Sequence, residues 1–507
     1  MDFISEAPRL AAALFDKRDA TACRLGLSRR LLLSLLIAAL SCCALISVAT
    51  AVETPPSVRH AIELVDGGQF AKAETSIAAR LKSAAPAADE RNALEFERER
   101  MRRILLDFTL SQAQVKAKVR EQIPDLTDDE FAAWDQAGLF EKRVIDGRTV
   151  YFGRSPSNLF RLSPAAAARR KGGPGFVDSP MEKPNDHHRS VVAAARGGQR
   201  SVLPRRVRVT QSISVKPGAV PAGETVRAWI PYPRAIKGQQ EEIRLIDSSP
   251  ARHTIAPEST LQRTVYLESP AVAGKPTDFS VTYELTIFAQ HTAIDADKVE
   301  RANLTPELLE HVRERPPHIV FTDAIRKFSR DTVGDERNPY RIAQKLFAAV
   351  DRIQWAGALE YSTISNISDY ALHAGHADCG QQTLLLMTLL RLNGIPARWQ
   401  SGMVFSDGEY DNLHDWGMLY LAPFGWVPMD VTTGRMSAGD PVIDDFYLGS
   451  LDAYRLAFND DYAQPLTPVK RHFRSETVDS QRGEVEWRGG NLYFDRWNYQ
   501  FKARVLP

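Results

Sequence analysis

From Arg206 onward, apolar residues recur at every second position. The segments RVRVTQSISV, ETVRAWIPYP, EEIRLID, RTVYLES and FSVTYELTIF alternate in this way and are separated by Gly, Pro, Asp and Ser clusters. Alternation turns one face of a strand to a core and the other to water, so this run predicts a β-sandwich over residues 205–295. Upstream the period lengthens to that of helices. ELVDGGQFAKAETSIAARLKS reads as two short helices around a Gly67-Gly68 turn, DLTDDEFAAWDQAGLF opens with an acidic helix start, and VIDGRTVYF predicts a hairpin around Asp146-Gly147. These segments make up a helical N-terminal region, 52–163.

The helix pair is similar to a tetratricopeptide unit, although a single unit is too little to build a solenoid. Residues 164–204 hold PAAAARRKGGPG, SPMEKPNDHHRS and ARGGQR and few large apolar side chains, which predicts a linker with no core of its own. His187 and His188 lie in it without cysteines or carboxylates at ligand spacing, so they read as ordinary linker residues. A helical stretch, ERANLTPELLEHVRE, comes after the sandwich and leads into a mixed segment, 296–450. The last part, 451–507, carries GEVEWRGGNLYFDRWNYQF and predicts a C-terminal β extension with strands near Gly489-Gly490. The fold class is α+β.

Charge changes this picture little. Lys and Arg total 64 against 63 Asp and Glu, which gives no general reason to bind nucleic acid or an acidic membrane surface. The N-terminus is more telling. Arg29-Arg30, the apolar LLLSLLIAAL and the small-residue sequence Ala49-Thr50-Ala51 form the pattern of a secretory signal peptide over 1–51. Periplasmic or secreted localisation is the consequence, with membrane attachment only if that segment stays uncleaved. A lipidated Cys42 or Cys43 is disfavoured by the residues before them. Cleavage after Ala51 removes three of the four cysteines and leaves Cys379 alone, so no intramolecular disulfide is possible in the mature chain.

Around that cysteine the chain reads HADCGQQTLLLMTLLRLNGIPARW. The apolar run ends at Asn393-Gly394 and Pro396, which predicts a helix with Asp378 as N-cap and Cys379 in its first turn. Unpaired amides there favour a thiolate, while the Asp378 carboxylate opposes it. A base is therefore needed. His414 lies 414 − 379 = 35 residues on, near the start of the strand LHDWGMLYL, and Asp430 ends the strand GWVPMD after a turn at Pro423-Phe424-Gly425. Adjacent antiparallel strands would hold imidazole and carboxylate side by side, a Cys-His-Asp arrangement for nucleophilic attack on a carbonyl. Trp416 and Trp426 read as core and cavity wall, and Arg398 as structural, paired with a nearby carboxylate. Asp440, Asp444 and Asp445 lack the order of a calcium loop and read as solvated. No metal or other cofactor is called for.

This region resembles the transglutaminase-like superfamily, on Cys379-Gly380, Gly394-Ile395-Pro396-Ala397-Arg398, His414-Asp415-Trp416 and Gly425-Trp426 through Asp430-Val431-Thr432. The resemblance covers about Pro339 to Gly434, and the strands before it look like the β-sandwich of many bacterial members. One departure is Gly375, four residues before the cysteine instead of two. The resemblance implies a papain-like core and amide-bond chemistry through a thioester. The oxyanion would be held by the Cys379 N–H and a second donor, for which Tyr361 is the choice. A peptidase or amidase acting on peptide or protein, including cell-wall peptide, is the expected activity. A protein-crosslinking transglutaminase and an inactive scaffold are the alternatives.

Overall fold

The computed structural model describes residues 54–83, 86–173, 179–408 and 410–507. The signal segment expected over 1–51 lies outside them. Two compact units divide the chain, Met1–Arg59 and His60–Pro507. All the sheets, and the helices from Phe70 onward, belong to the second.

Helices Phe70–Lys82, Ala88–Asp107, Gln112–Gln122 and Asp128–Gln136 build the N-terminal part, the last two opened by capping boxes at Ser111 and Thr127. The predicted hairpin forms as Lys142–Ile145 against Arg148–Phe152. It docks on the Gly67-Gly68 turn, where the Asp146 amide donates to the Gly68 carbonyl at 2.9 Å. Gly68 has φ +69°, and a Cβ on it would lie 2.0 Å from the Val144 carbonyl oxygen, so only glycine fits. This part also braces the segment around Gly357 and Glu360. Asn158 exchanges two 2.9 Å hydrogen bonds with the backbone of Gly357, and Asp107 accepts from the Glu360 amide at 3.1 Å.

The segment expected to be a linker is structured where it is described. Pro164–Arg169 and Asp186–Ala194 are helices, the second capped by Asn185, and a strand begins at Ser201. His188 and Val191 are fully buried. A segment poor in large apolar residues needs no core of its own when it docks on one already present. His188 Nδ1 accepts from the Asn185 amide, which leaves Nε2 to donate to Tyr447 Oη at 3.1 Å.

Alternation delivers the sandwich. Val207, Val209, Gln211, Ile213 and Val215 of strand Ser201–Val215 are all buried. Gln211 is the polar member of that face, and its Nε2 is satisfied by the Pro231 carbonyl and Tyr283 Oη. Each sheet has five strands and recruits chain from the C-terminus. Trp497–Val505 pairs along the length of Ser201–Val215 from Val207 to Val215, and Glu484–Trp487 pairs with Thr225–Pro231. The residues expected as a separate C-terminal extension therefore complete the sandwich, because each sheet leaves an edge that only these strands cover.

The remaining layer is an antiparallel sheet in the order Gly425–Met429, Asp411–Leu421, Ala397–Phe405, Arg455–Asn459. Helix Cys379–Leu392 packs on it and is buried along nearly its whole length. Gly402 permits the fourth strand to approach, since a Cβ there would meet the Leu456 carbonyl oxygen at 1.8 Å.

Candidate active site

Asp378 caps the helix as predicted. Its Oδ1 accepts from the Gln381 amide at 3.1 Å, and Gln381 Oε1 accepts in return from the Asp378 amide at 3.2 Å. Cys379 is thereby fixed as the first helical residue. Gly375, four residues before it, has φ +72° and comes just after the end of helix Ile367–His373. It reverses the chain into the cysteine segment.

His414 and Asp430 extend from paired strands whose register runs from Gly417 opposite Met429 to Leu421 opposite Gly425. His414 Nε2 lies 2.8 Å from Asp430 Oδ2. Asp430 is fully buried and has further donors: the Thr432 and Thr433 amides at 3.1 Å, Thr433 Oγ1 at 2.6 Å, and Arg455 Nη1. Burial alone would raise its pKa, but His414 and Arg455 outweigh it and hold the carboxyl well below the usual carboxylate range. Thr432 Oγ1 donates to Gln382 Oε1 at 2.6 Å, tying the Asp430 turn to the cysteine helix. Trp416 is buried under the imidazole, with ring centroids 6.1 Å apart, and its Nε1 donates to Gln400.

The thiol's hydrogen bond goes to Asp415, whose Oδ2 lies 3.2 Å from Cys379 Sγ. Burial pushes the thiol pKa well up, and the Asp415 and Asp378 carboxyls push it further. Burial also takes the Asp378 carboxyl up to about 6. The helix end alone does not make this cysteine a thiolate. Tyr361 does reach the site, but its hydroxyl is engaged by Asp378 Oδ1 at 2.8 Å and Asp415 Oδ2 at 3.2 Å. With its one proton committed to these carboxyls, Tyr361 braces the helix start and is no free oxyanion donor.

Cys379, His414 and Asp430 all fall in the one stretch that sequence comparison matches to a known family. The chain matches the Transglutaminase-like superfamily over residues 326–431. Those residues form a transglutaminase-like domain. No protein of curated description matches the chain. Among solved structures, it is similar to a candidate cysteine protease from Cytophaga hutchinsonii, with 14% identity over 61% of this chain and 92% of the other and a TM-score of 0.41. It is also similar to the periplasmic domain of TgpA from Pseudomonas aeruginosa, with 14% identity, 49% and 97% coverage and a TM-score of 0.26. A candidate protease from Parabacteroides distasonis gives 11% identity, 50% and 48% coverage and a TM-score of 0.21.

Cys379, His414 and Asp415 of the transglutaminase-like domain open into one cavity of about 340 Å³. Its walls come from outside the domain as well: Arg154 and Arg161 from the helical region, Ser179 and Glu182 from the segment expected as a linker, and Asp479 and Gln481 from near the C-terminus. Trp355 lines it, whereas Trp416 and Trp426 do not, which corrects the wall role expected of that pair. Trp426 instead stacks under the Arg398 guanidinium at 4.7 Å, and Arg398 approaches Asp460 at 3.5 Å. Asp440 caps a short helix, and Asp445 pairs with Arg435 at 2.7 Å.

Sequence reasoning missed Arg455, Asp415 and Asp479. Arg455 Nε donates to Asp452 Oδ2 at 2.8 Å, and that same oxygen accepts from Tyr447 Oη at 2.7 Å. A buried hydrogen-bond chain therefore runs from His188 through Tyr447, Asp452, Arg455 and Asp430 to His414.

Proposed function

We infer that this protein is an exported thiol hydrolase, a peptidase or amidase that cleaves amide bonds through Cys379, His414 and Asp430. The observation that carries the reading is the 2.8 Å contact between His414 Nε2 and buried Asp430, with His414 opening into the same cavity as a helix-start cysteine. Nε2 faces the carboxylate, so Nδ1 is the nitrogen left for the thiol. The Cys379 thiol gives its proton to Nδ1. The thiolate attacks the substrate carbonyl, and the Cys379 N–H at the helix start favours the developing oxyanion. The imidazolium, stabilised by Asp430, then protonates the leaving amine. Water, deprotonated by the same imidazole, resolves the thioester to acid and free thiol.

Hydrolysis is favoured over crosslinking because the cavity is lined mainly by charged and polar side chains, which admit water. Export rests on the signal pattern of residues 1–51, and makes periplasmic or secreted peptide, including cell-wall peptide, the natural substrate. The test is mass spectrometry of a casein-type substrate incubated with a biotinylated amine and either wild type or Cys379→Ala. Cysteine-dependent cleavage or deamidation supports a hydrolase. Cysteine-dependent incorporation of the amine would replace this reading with a transglutaminase.

A further inference from the structure

Asp415 comes directly after His414 on its strand, yet its carboxyl touches the nucleophile. Oδ2 is 3.2 Å from Sγ, and Oδ1 accepts from Gln481 Nε2 at 2.7 Å. Gln481 also gives its backbone amide to Asp479 Oδ1 at 3.2 Å, while Ser401 Oγ donates to Asp479 Oδ2 at 2.8 Å. Gln481 thus bridges the Asp415 and Asp479 carboxyls, each of which bears on the other's proton. They are only 2% and 3% exposed.

Among the described residues no cation makes an ion pair with either carboxyl, and Arg474 alone acts on one of them, lowering Asp479. Asp378, Cys379 and Tyr361 face Asp415 from the helix start and the turn before it, Glu476 stands on the Asp479 side, and His414 is committed to Asp430. Arg482 pairs with Glu360 and Glu476, and Arg474 approaches Glu484 and donates to the Asp479 carbonyl. Two adjacent buried carboxyls without an ion-paired cation cannot both be ionised, since each charge opposes the other and neither is solvated. Asp479, which has two neutral donors and the Arg474 charge nearby, is the better seat for the single negative charge.

We propose that Asp415 and Asp479 share one proton, that this proton keeps the carboxyl touching Sγ neutral, and that Cys379 forms its thiolate only while the proton is in place. The inference rests on the proposed thiol mechanism and adds Asp415 to it as a further catalytic residue. A carboxylate at 3.2 Å would oppose the thiolate by direct repulsion; a carboxylic acid does not. Burial first, then Asp479 and Asp378, push the Asp415 carboxyl well above its usual range, and burial raises Asp479 as well. Deprotonation of the pair therefore needs a higher pH than an ordinary carboxyl does.

The test is the rate at which iodoacetamide alkylates Cys379 in the full chain, followed on the Cys379 peptide by mass spectrometry from acid to alkaline pH. In wild type, reactivity rises once, as the thiolate forms. Asp415→Asn keeps a neutral group beside Sγ and leaves the midpoint of that rise in place. Asp479→Asn lets Asp415 ionise before the thiol does, so the rise moves toward alkaline pH and the rate at neutral pH drops about tenfold, the effect of one pKa unit. An Asp479→Asn profile that overlays wild type, or an Asp415→Asn rise displaced toward acid by as much, overturns the proposal. Thermal melts confirm that each variant is folded, and Asp479→Ser, which also removes the charge, replaces Asp479→Asn if that variant is not. His414→Ala serves as the separate arm: unchanged reactivity there sinks the His414 mechanism and leaves the Asp415–Asp479 result standing.

Discussion

Arg455 Nη1 donates to the same Asp430 oxygen, Oδ2, that His414 Nε2 reaches at 2.8 Å. The arginine also holds Asp452, so one buried cation serves two buried carboxylates. Removing it leaves both without their partner. Arg455→Met is expected to destabilise the fold by about 3–5 kcal/mol in chemical denaturation, with Arg455→Lys intermediate because lysine keeps the charge and loses the fork. A loss below about 1 kcal/mol would mean that the pair does little for the fold.

His414→Ala should lower turnover on a cleaved substrate by about 10²–10⁴-fold while the fold stays intact, the usual contribution of a positioned general acid and base. Asp430→Asn should lower it too. The buried Asp430 carboxylate also ties stability to acid. Its pKa is depressed on folding, so its stabilisation is complete above the unfolded carboxyl value of about 4 and is lost as pH falls below that. Denaturation of wild type and Asp430→Asn should show their difference shrinking toward low pH.

Asp107 carries the opposite sign. Burial and then the neighbouring Glu360 push its carboxyl up to about 7. The folded state therefore binds this proton more tightly than the unfolded chain, and wild type loses stability as pH rises from about 4 to 7, with no further change above. Asp107→Asn keeps an oxygen for the Glu360 amide and removes the titration. Relative to wild type, it should gain stability across that window by up to about 4 kcal/mol. Urea melts at the two ends of the window measure it, and a constant difference would exclude the effect.

Gly380 lies directly under the site. A Cβ there would stand 2.1 Å from Tyr361 Oη and 2.7 Å from Asp415 Oδ2. Gly380→Ala must displace the tyrosine from the helix start, at a cost of about 1–3 kcal/mol. Because the same shift disturbs Asp415, alkylation of Cys379 should slow more than in Tyr361→Phe, which keeps the ring and removes only the hydroxyl. Equal rates in the two variants would show that the hydroxyl alone matters.

The elements legible in the sequence are those whose signal is local. Alternation in RVRVTQSISV marks a strand with one buried face, and Asp378 before an apolar run marks the start of the cysteine helix. Cys379, His414 and Asp430 stand at a helix start, near a strand start and at a strand end, places that turn and cap residues reveal. The signal failed for 164–204, because composition measures whether a segment can build a core and not whether it can join one. His188 and Val191 are buried in one, Val191 among the apolar residues that pack around the cysteine helix.

By itself, then, the sequence determined most helices and strands and the α+β class and offered three candidates for thiol chemistry, because each depends on neighbours a few positions away. Tertiary structure decided which strands close the sandwich, since backbone edges pair without regard to distance along the chain. It also decided the charge environment of the nucleophile. Alternation would turn Asp415 away from the face that carries His414, yet packing of the cysteine helix over that strand brings its carboxyl to Sγ. Asp479, 479 − 415 = 64 residues later and outside any regular element, meets it there. Whether a buried carboxyl is charged depends on what lies within a few ångströms of it, and only the folded chain sets those distances.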